Sequence, residues 1–185
     1  MKATSKAAYP IDQYTFSDTD EVLLDANIWL FVYGPQYSAT DQRTAVYSDA
    51  LKRMLSAKSS IFIDVLVLSE FVNSFARFRF NTLPLTRRPK DFKPFRKSAA
   101  FKPVARQIAD ACRRIMNHGV RTESGFASLN FTALIDEFEL GLSDLNDQVL
   151  IELCKARGLK LVTHDADFKG RNLMLLTANQ NLLKS

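Results

Sequence analysis

Apolar residues along this chain fall in short blocks, and the spacing inside each block predicts its element. Val22, Leu23 and Leu24 form a short continuous run, as do Ile61, Phe62 and Ile63, then Leu159, Leu161 and Val162, and finally Leu173 to Thr177. Runs this short and this apolar read as strands buried on both faces of a sheet. The blocks between them have helical spacing. Thr40 or Asp41 can cap a helix reaching about Ala57, with Ala45, Leu51, Met54 and Leu55 turned inward. A second helix starts at Val65 to Leu68 and runs to about Phe80, its apolar face made by Leu68, Phe71, Val72 and Phe75. A third runs from Pro103, which suits a first turn, to about Asn117, with Gly119 near its stop. Asn130 can cap a helix from Phe131 to Glu139 that Gly141 closes. The stretch Leu142 to Phe168 is the most informative. Asp144 and Asp147 open a helix, Val149, Leu150, Leu153 and Cys154 line one side, and Gly158 sits where a left-handed residue ends it. Strand follows helix there as in a βαβ unit, so an α/β domain is expected. Residues 1–21 show no clear period and read as an N-terminal extension to a domain spanning 22–185.

Acidic residues recur at one place in this alternation. Asp25 and Asp165 directly follow strands, while Glu70 and Asp147 lie near the start of helices next to strand ends. Each has an ordinary explanation. Asp25 can cap the helix after it, Asp144 and Asp147 can complement a helix dipole, and Asp165 and Asp167 can make a turn. Together they point elsewhere, because ligands of open α/β sheets bind beyond the carboxyl ends of the strands. Close carboxylates repel, and burial raises that cost unless cations neutralise them. Hard oxygen ligands suit Mg²⁺ or Mn²⁺. There is no Cys/His spacing for zinc, no Walker loop or GxGxxG after the first strand, and no nucleophile elbow. Of the two histidines, His118 and His164, the second adjoins Asp165 and reads as a surface residue with access to substrate.

Charge changes the picture further. The formal net charge is +5, yet residues 77–121 carry thirteen Lys and Arg against two acids, a net of +11 that leaves −6 for the remainder. Arg77, Arg79, Arg87, Arg88, Lys90, Lys93, Arg96 and Lys97 alternate with phenylalanines, and Pro84, Pro89, Pro94 and Pro103 prevent one long helix. Clustered cations with interleaved aromatics suit phosphate contacts and base stacking, so this basic insertion is expected to hold a polyanionic partner. Glu70, Asn73, Ser74 and Arg77 share one helix stripe, which for Asn73 and Arg77 reads as a solvated face. Phe78, Phe80, Phe92, Phe95 and Phe101 are many for a polar segment; they read mostly as packing, with part of their surface expected to be covered by a second copy, giving a homodimer, or by a segment of another partner. The two cysteines, Cys112 and Cys154, make no disulfide framework, and no apolar run is long enough to span a bilayer. A cytoplasmic protein is the expectation.

The segments Leu23–Trp29, Asp64–Phe75 and Asn146–Asp165, with the ADF after the last, resemble the PIN-domain nucleases. The last segment is similar to the bacterial VapC-type ribonuclease toxins. The resemblance covers roughly residues 22–178 and is weak across 77–121. It implies a three-layer α/β/α sandwich with a central, mostly parallel sheet. It also implies a Mg²⁺- or Mn²⁺-dependent endoribonuclease leaving a 5′-phosphate and a 3′-hydroxyl, the toxin of a type II toxin–antitoxin pair, with an antitoxin as partner. Asp25, Glu70, Asp147 and Asp165 match the family's acidic, metal-binding positions, and Thr163 a supporting hydroxyl. Asn27 is a further supporting residue, and Asp144 and Asp167 are auxiliaries. Two other readings stand beside this one: a non-catalytic RNA-binding module of the same fold, and a nuclease of RNA processing or of DNA that works without an antitoxin.

Overall fold

A computed structural model of the chain describes residues 8–38, 40–141 and 143–184. Six strands make one sheet: β1 (Ala8–Pro10), β2 (Glu21–Leu24), β3 (Ser60–Asp64), β4 (Val120–Thr122), β5 (Lys160–Val162) and β6 (Leu175–Thr177). Their order is β1-β6-β5-β2-β3-β4, and every neighbouring pair is parallel, where a mostly parallel sheet was expected. Among the described residues eight helices flank it: α1 (Ala26–Tyr33), α2 (Gln42–Ser56), α3 (Val65–Asn81), α4 (Phe92–Arg96), α5 (Phe101–Asn117), α6 (Phe131–Glu139), α7 (Leu145–Arg157) and α8 (Gln180–Leu183). This is the three-layer α/β/α sandwich. Val22, Leu23, Leu24, Leu161 and Val162 have no exposed surface, as central strands covered on both faces require. Each such side chain contributes about 1.5–3 kcal/mol by leaving water.

The connections explain where a site can form. From β2 the chain moves through α1 and α2 to β3 and then β4 on one side; α7 returns it to β5, on the other side of β2. Strand order therefore reverses between β2 and β5, where a crevice opens at the carboxyl ends. Gly158 ends α7 at φ 68°, a left-handed turn that glycine adopts without strain. Gly119 has a different reason. A Cβ there would lie 2.2 Å from the carbonyl oxygen of Ile61, so β4 can join β3 this closely only without a side chain.

Several details differ from the sequence expectation. The described part of the N-terminal extension joins the domain: β1 pairs with β6, and Ile11 and Phe16 enter the core. Arg53 donates to the carbonyls of Ile11 and Tyr14 at 2.7 Å each, and Lys160 pairs with buried Asp20 at 2.7 Å. Residues 1–7 of that extension lie outside the described residues. On α2 the inward residues are Tyr47, Ala50, Leu51 and Met54, whereas Ala45 and Leu55 are exposed. The phenylalanines of the basic insertion largely cover one another. Phe95 is buried, with Phe80 at 5.5 Å and Phe101 at 5.3 Å between ring centres, and Phe92 stands 5.6 Å from Phe80. Arg77 lies over Phe92 and Arg88 over Phe80. The phenylalanines that need a cover are elsewhere: Phe126, Phe131 and Phe138 are exposed, with Ile135 and Leu140, on and around α6. Cys112 and Cys154 are free thiols. Among the described residues no helix is long and apolar enough to cross a membrane.

Candidate active site

Asp25 is the first residue beyond β2, and its backbone N–H still donates to the Val162 carbonyl of β5 at 3.0 Å. That bond locks it to the seam where strand order reverses. The side chain makes no capping hydrogen bond on α1, so helix capping does not explain it. Instead its Oδ2 accepts from the Thr163 hydroxyl at 2.7 Å and from the Asn27 amide at 2.6 Å. Thr163 is fully buried and works in both directions, since its hydroxyl oxygen accepts from the Asp165 backbone N–H at 3.0 Å. One hydroxyl thus ties the carboxylate after β2 to the backbone that presents the carboxylate after β5. Asn27 completes the tie, its Oδ1 accepting from the His164 N–H at 3.2 Å.

The other acids arrive on helix starts. Glu70 lies in the second turn of α3, and Asp147 in the first turn of α7. Asp144 caps α7 by accepting from the Asn146 N–H at 2.8 Å, and Asp165 accepts from the Asp167 N–H at 3.0 Å in a short 3-10 turn, Ala166–Phe168. The ordinary roles foreseen for Asp144 and Asp165 are therefore present as well. Burial, with the charges of Glu70 and Asp165, pushes the Asp25 carboxyl up to about 6. Burial, with the charges of Asp25, Asp165, Asp144 and Asp167, pushes Asp147 up to about 7. Burial and the charges of Asp147, Asp144 and Asp165 raise Glu70. The six acids therefore sit within one another's fields, and none of the ion pairs among the described residues involves them.

Among the described residues no three His, Cys, Asp or Glu side chains close into a ready-made metal cage. The donor set nevertheless fits a hard divalent cation. It is all carboxylate oxygen and partly buried, and among the described residues it forms no ion pair with a cationic side chain.

The eight basic residues singled out in the sequence lie on α3, on the chain between α3 and α4, and on α4 with its C-cap Lys97. Arg77, Arg87, Lys90, Lys93, Arg96 and Lys97 are exposed, and Arg79 and Arg88 are half-buried. None takes part in the acidic cluster.

A supporting strap escaped the sequence reading. His164 is half-buried, not a surface residue. Its Nδ1 bonds the Tyr47 hydroxyl at 2.8 Å, and its carbonyl accepts from the Asn179 amide at 2.6 Å. Tyr47 is buried, and its oxygen also accepts from the Ala178 N–H at 3.0 Å. The strap pins the Thr163–Asp165 segment to α2 and to the chain after β6. Its only trace in the sequence is an aromatic at the helical spacing of Leu51 and Met54. Asp64 was also missed. It is fully buried, caps α3 through the Leu66 N–H at 2.7 Å, and leaves its Oδ2 without a partner.

The fold and the site together define a parallel α/β domain whose acidic cluster lies at the strand-order reversal. The PIN domain family model matches residues 22–172, and the chain belongs to that family. Among solved structures it is similar to a chain of VapBC2 from Rickettsia felis bound to a DNA fragment from their promoter. That match has 17% identity and a TM-score of 0.50, and covers 84% of this chain and 97% of the other. No curated protein matches the sequence.

Proposed function

We propose that this chain is a divalent-metal-dependent endoribonuclease and the toxin of a toxin–antitoxin pair. The carrying observation is the uncompensated acidic cluster at the β2/β5 seam, in which Asp25 and Asp147 are raised to about 6 and about 7. A module that only binds RNA gains nothing from carboxylates that repel phosphate. Asp25, Glu70, Asp147 and Asp165 would hold Mg²⁺ or Mn²⁺, with Asp144 and Asp167 alongside. When bound, such an ion supplies Lewis acidity and makes water nucleophilic at neutral pH.

The chain's own residues do the rest. Thr163 and Asn27 hold the Asp25 carboxylate in one orientation through its Oδ2. The bond from Asp165 N–H to Thr163 fixes the opposite wall. No histidine is needed as base; the neighbouring His164 has its Nδ1 committed to Tyr47. The exposed cations between α3 and α4 supply backbone affinity for RNA. An antitoxin partner is supported by the VapBC2 neighbour. The open apolar surface of α6 is available to an antitoxin or to a second copy of the chain in a homodimer, and light scattering of the isolated chain separates the two. The free thiols fit a cytoplasmic setting.

The test is cleavage of single-stranded RNA and DNA by the purified chain with Mg²⁺, with Mn²⁺ and with EDTA. Metal-dependent cleavage of RNA, abolished in Asp25→Asn and Asp147→Asn, is expected. RNA binding without cleavage at any metal concentration would establish the binding-module reading instead.

A further inference from the structure

We propose that the cleft between the end of α1 and the facing sides of α3 and α5 is a phosphate-binding subsite that grips the RNA backbone away from the acidic cluster. The proposal rests on the ribonuclease reading and adds a second point of contact to it. The cleft has a volume of about 350 Å³ and is lined by Tyr33, Phe75, Arg79, Gln107, Asp110 and Arg114, among others. Two guanidiniums face it, and among the described residues neither has a carboxylate partner. Asp110 is the one acid of the lining, and it is engaged by Arg113 at 2.6 Å.

Arg79 is the more telling of the two. Its Nη2 donates to Gln107 Oε1 at 2.9 Å, and its guanidinium lies 5.9 Å from the Phe75 ring centre. Its Nε is buried and has no acceptor. A buried donor on a charged group is costly to leave unmet, and a phosphate oxygen is the acceptor that matches both its charge and its fork geometry. Arg114 stands 5.9 Å from the Tyr33 ring, and that ring is stacked parallel to His118 and Trp29. The wall is thus rigid, and the volume admits a phosphodiester with its sugar.

Position gives the cleft its use. It adjoins the last residues of α1, whose first residue follows Asp25; eight helical residues span roughly 12 Å. The acidic cluster repels a phosphate strand, so the strand must be held by attraction elsewhere. Binding energy realised remotely can offset such a cost at the reacting centre.

The experiment is run in EDTA, where cleavage is suppressed. Arginine Nε–Hε signals are followed by NMR as a short single-stranded RNA and, separately, inorganic phosphate are added. RNA affinity is measured against salt for Arg79→Gln/Arg114→Gln and for a charge-matched control, Lys52→Gln/Lys58→Gln. The Arg79 signal is expected to shift with RNA. The cleft variant should bind roughly tenfold to a hundredfold more weakly, as loss of charge-assisted bonds implies. Its salt slope should be shallower by about 0.7, the value for one phosphate on a single strand. A shift with phosphate but unchanged RNA affinity overturns the grip on RNA and leaves a site for the free anion only. No shift with either probe, or equal losses in cleft variant and control, overturns the proposal. Cleavage by the unmodified chain with Mg²⁺ is scored separately. Its absence refutes the ribonuclease reading, whereas normal cleavage with normal binding by the cleft variant refutes only the cleft.

Discussion

Replacing Asp25 with Asn should make the metal-free protein more stable at neutral pH, although it removes a residue from the heart of the site. The Asp25 carboxyl is raised from 3.8 to about 6, and the residue is 4% exposed. At 1.36 kcal/mol per unit this is about 3 kcal/mol of differential stability. Below pH 3.8 folded and unfolded chains both hold the proton, and the group has no effect. Between about 4 and 6 only the folded chain holds it, so stability falls as pH rises. Above about 6 the full cost of a buried, repelled carboxylate is carried. Asn cannot ionise, and with its carbonyl oxygen in the place of Oδ2 it still accepts from Thr163 and Asn27. Urea unfolding in EDTA at pH 4.5 and pH 8 measures this. For a slope of about 2 kcal/mol/M, 3 kcal/mol moves the midpoint by about 1.5 M. The variant should gain nearly all of that shift at pH 8 and about a third of it at pH 4.5. An Asn variant less stable than its parent at pH 8, or one offset equally at both pH values, would show that the acids are not in conflict.

Other outcomes follow from the same geometry. The Asp147 carboxyl should titrate near 7 by carbon-detected NMR in EDTA and fall below the observable range when Mg²⁺ saturates the site. Thr163→Val removes the donor to Asp25 and the acceptor for the Asp165 N–H. It should cost about 1–3 kcal/mol by urea denaturation and raise the Mg²⁺ concentration needed for half-maximal cleavage. Gly119→Ala places a methyl 2.2 Å from the Ile61 carbonyl and should cost about 3 kcal/mol or more, seen as a lowered Tm. Neutralising Arg87, Arg88, Lys90 and Lys93 together should flatten the salt dependence of RNA binding; calorimetry with Mn²⁺ should show metal affinity unchanged.

What could be read from the sequence depended on how local its cause is. The bounds of α6, with Asn130 as its cap, and the entrance and Gly158 stop of α7 are visible because each is set by one or two neighbouring residues. Asp25, Asp147 and Asp165 are visible because each stands at an element boundary, and Glu70 because it lies only one turn further into its helix. By contrast β1 is three residues, Ala-Tyr-Pro, with no periodicity, and exists only because β6 offers an edge. β4 carries two exposed residues of its three, and α4 holds a proline within five residues, so neither shows a pattern. The mutual burial of Phe80, Phe92, Phe95 and Phe101 depends on α3 and α5 folding back over α4, which a linear pattern of aromatics does not reveal. The strap from Tyr47 through His164 to Asn179 spans three distant parts of the chain. None of its residues is unusual where it stands.

The bond from the Asp25 N–H to the Val162 carbonyl, and the one from Thr163 to the Asp25 carboxylate 138 positions away, bear on how the molecule comes apart. The first joins the residue after β2 to the last residue of β5, and the intervening chain holds β3, β4 and most of the helices. Closing that loop costs entropy that only the assembled sheet repays. No fragment on either side of it can keep the two carboxylates in register. The Asp25 amide proton should therefore exchange with solvent only through global opening, at the slowest rate in the molecule. Integrity of the acidic site and the folded population then become one quantity. A mutation anywhere in the sheet that raises the unfolded fraction lowers the population that holds the site in direct proportion, and partial unfolding at α6 leaves that population untouched.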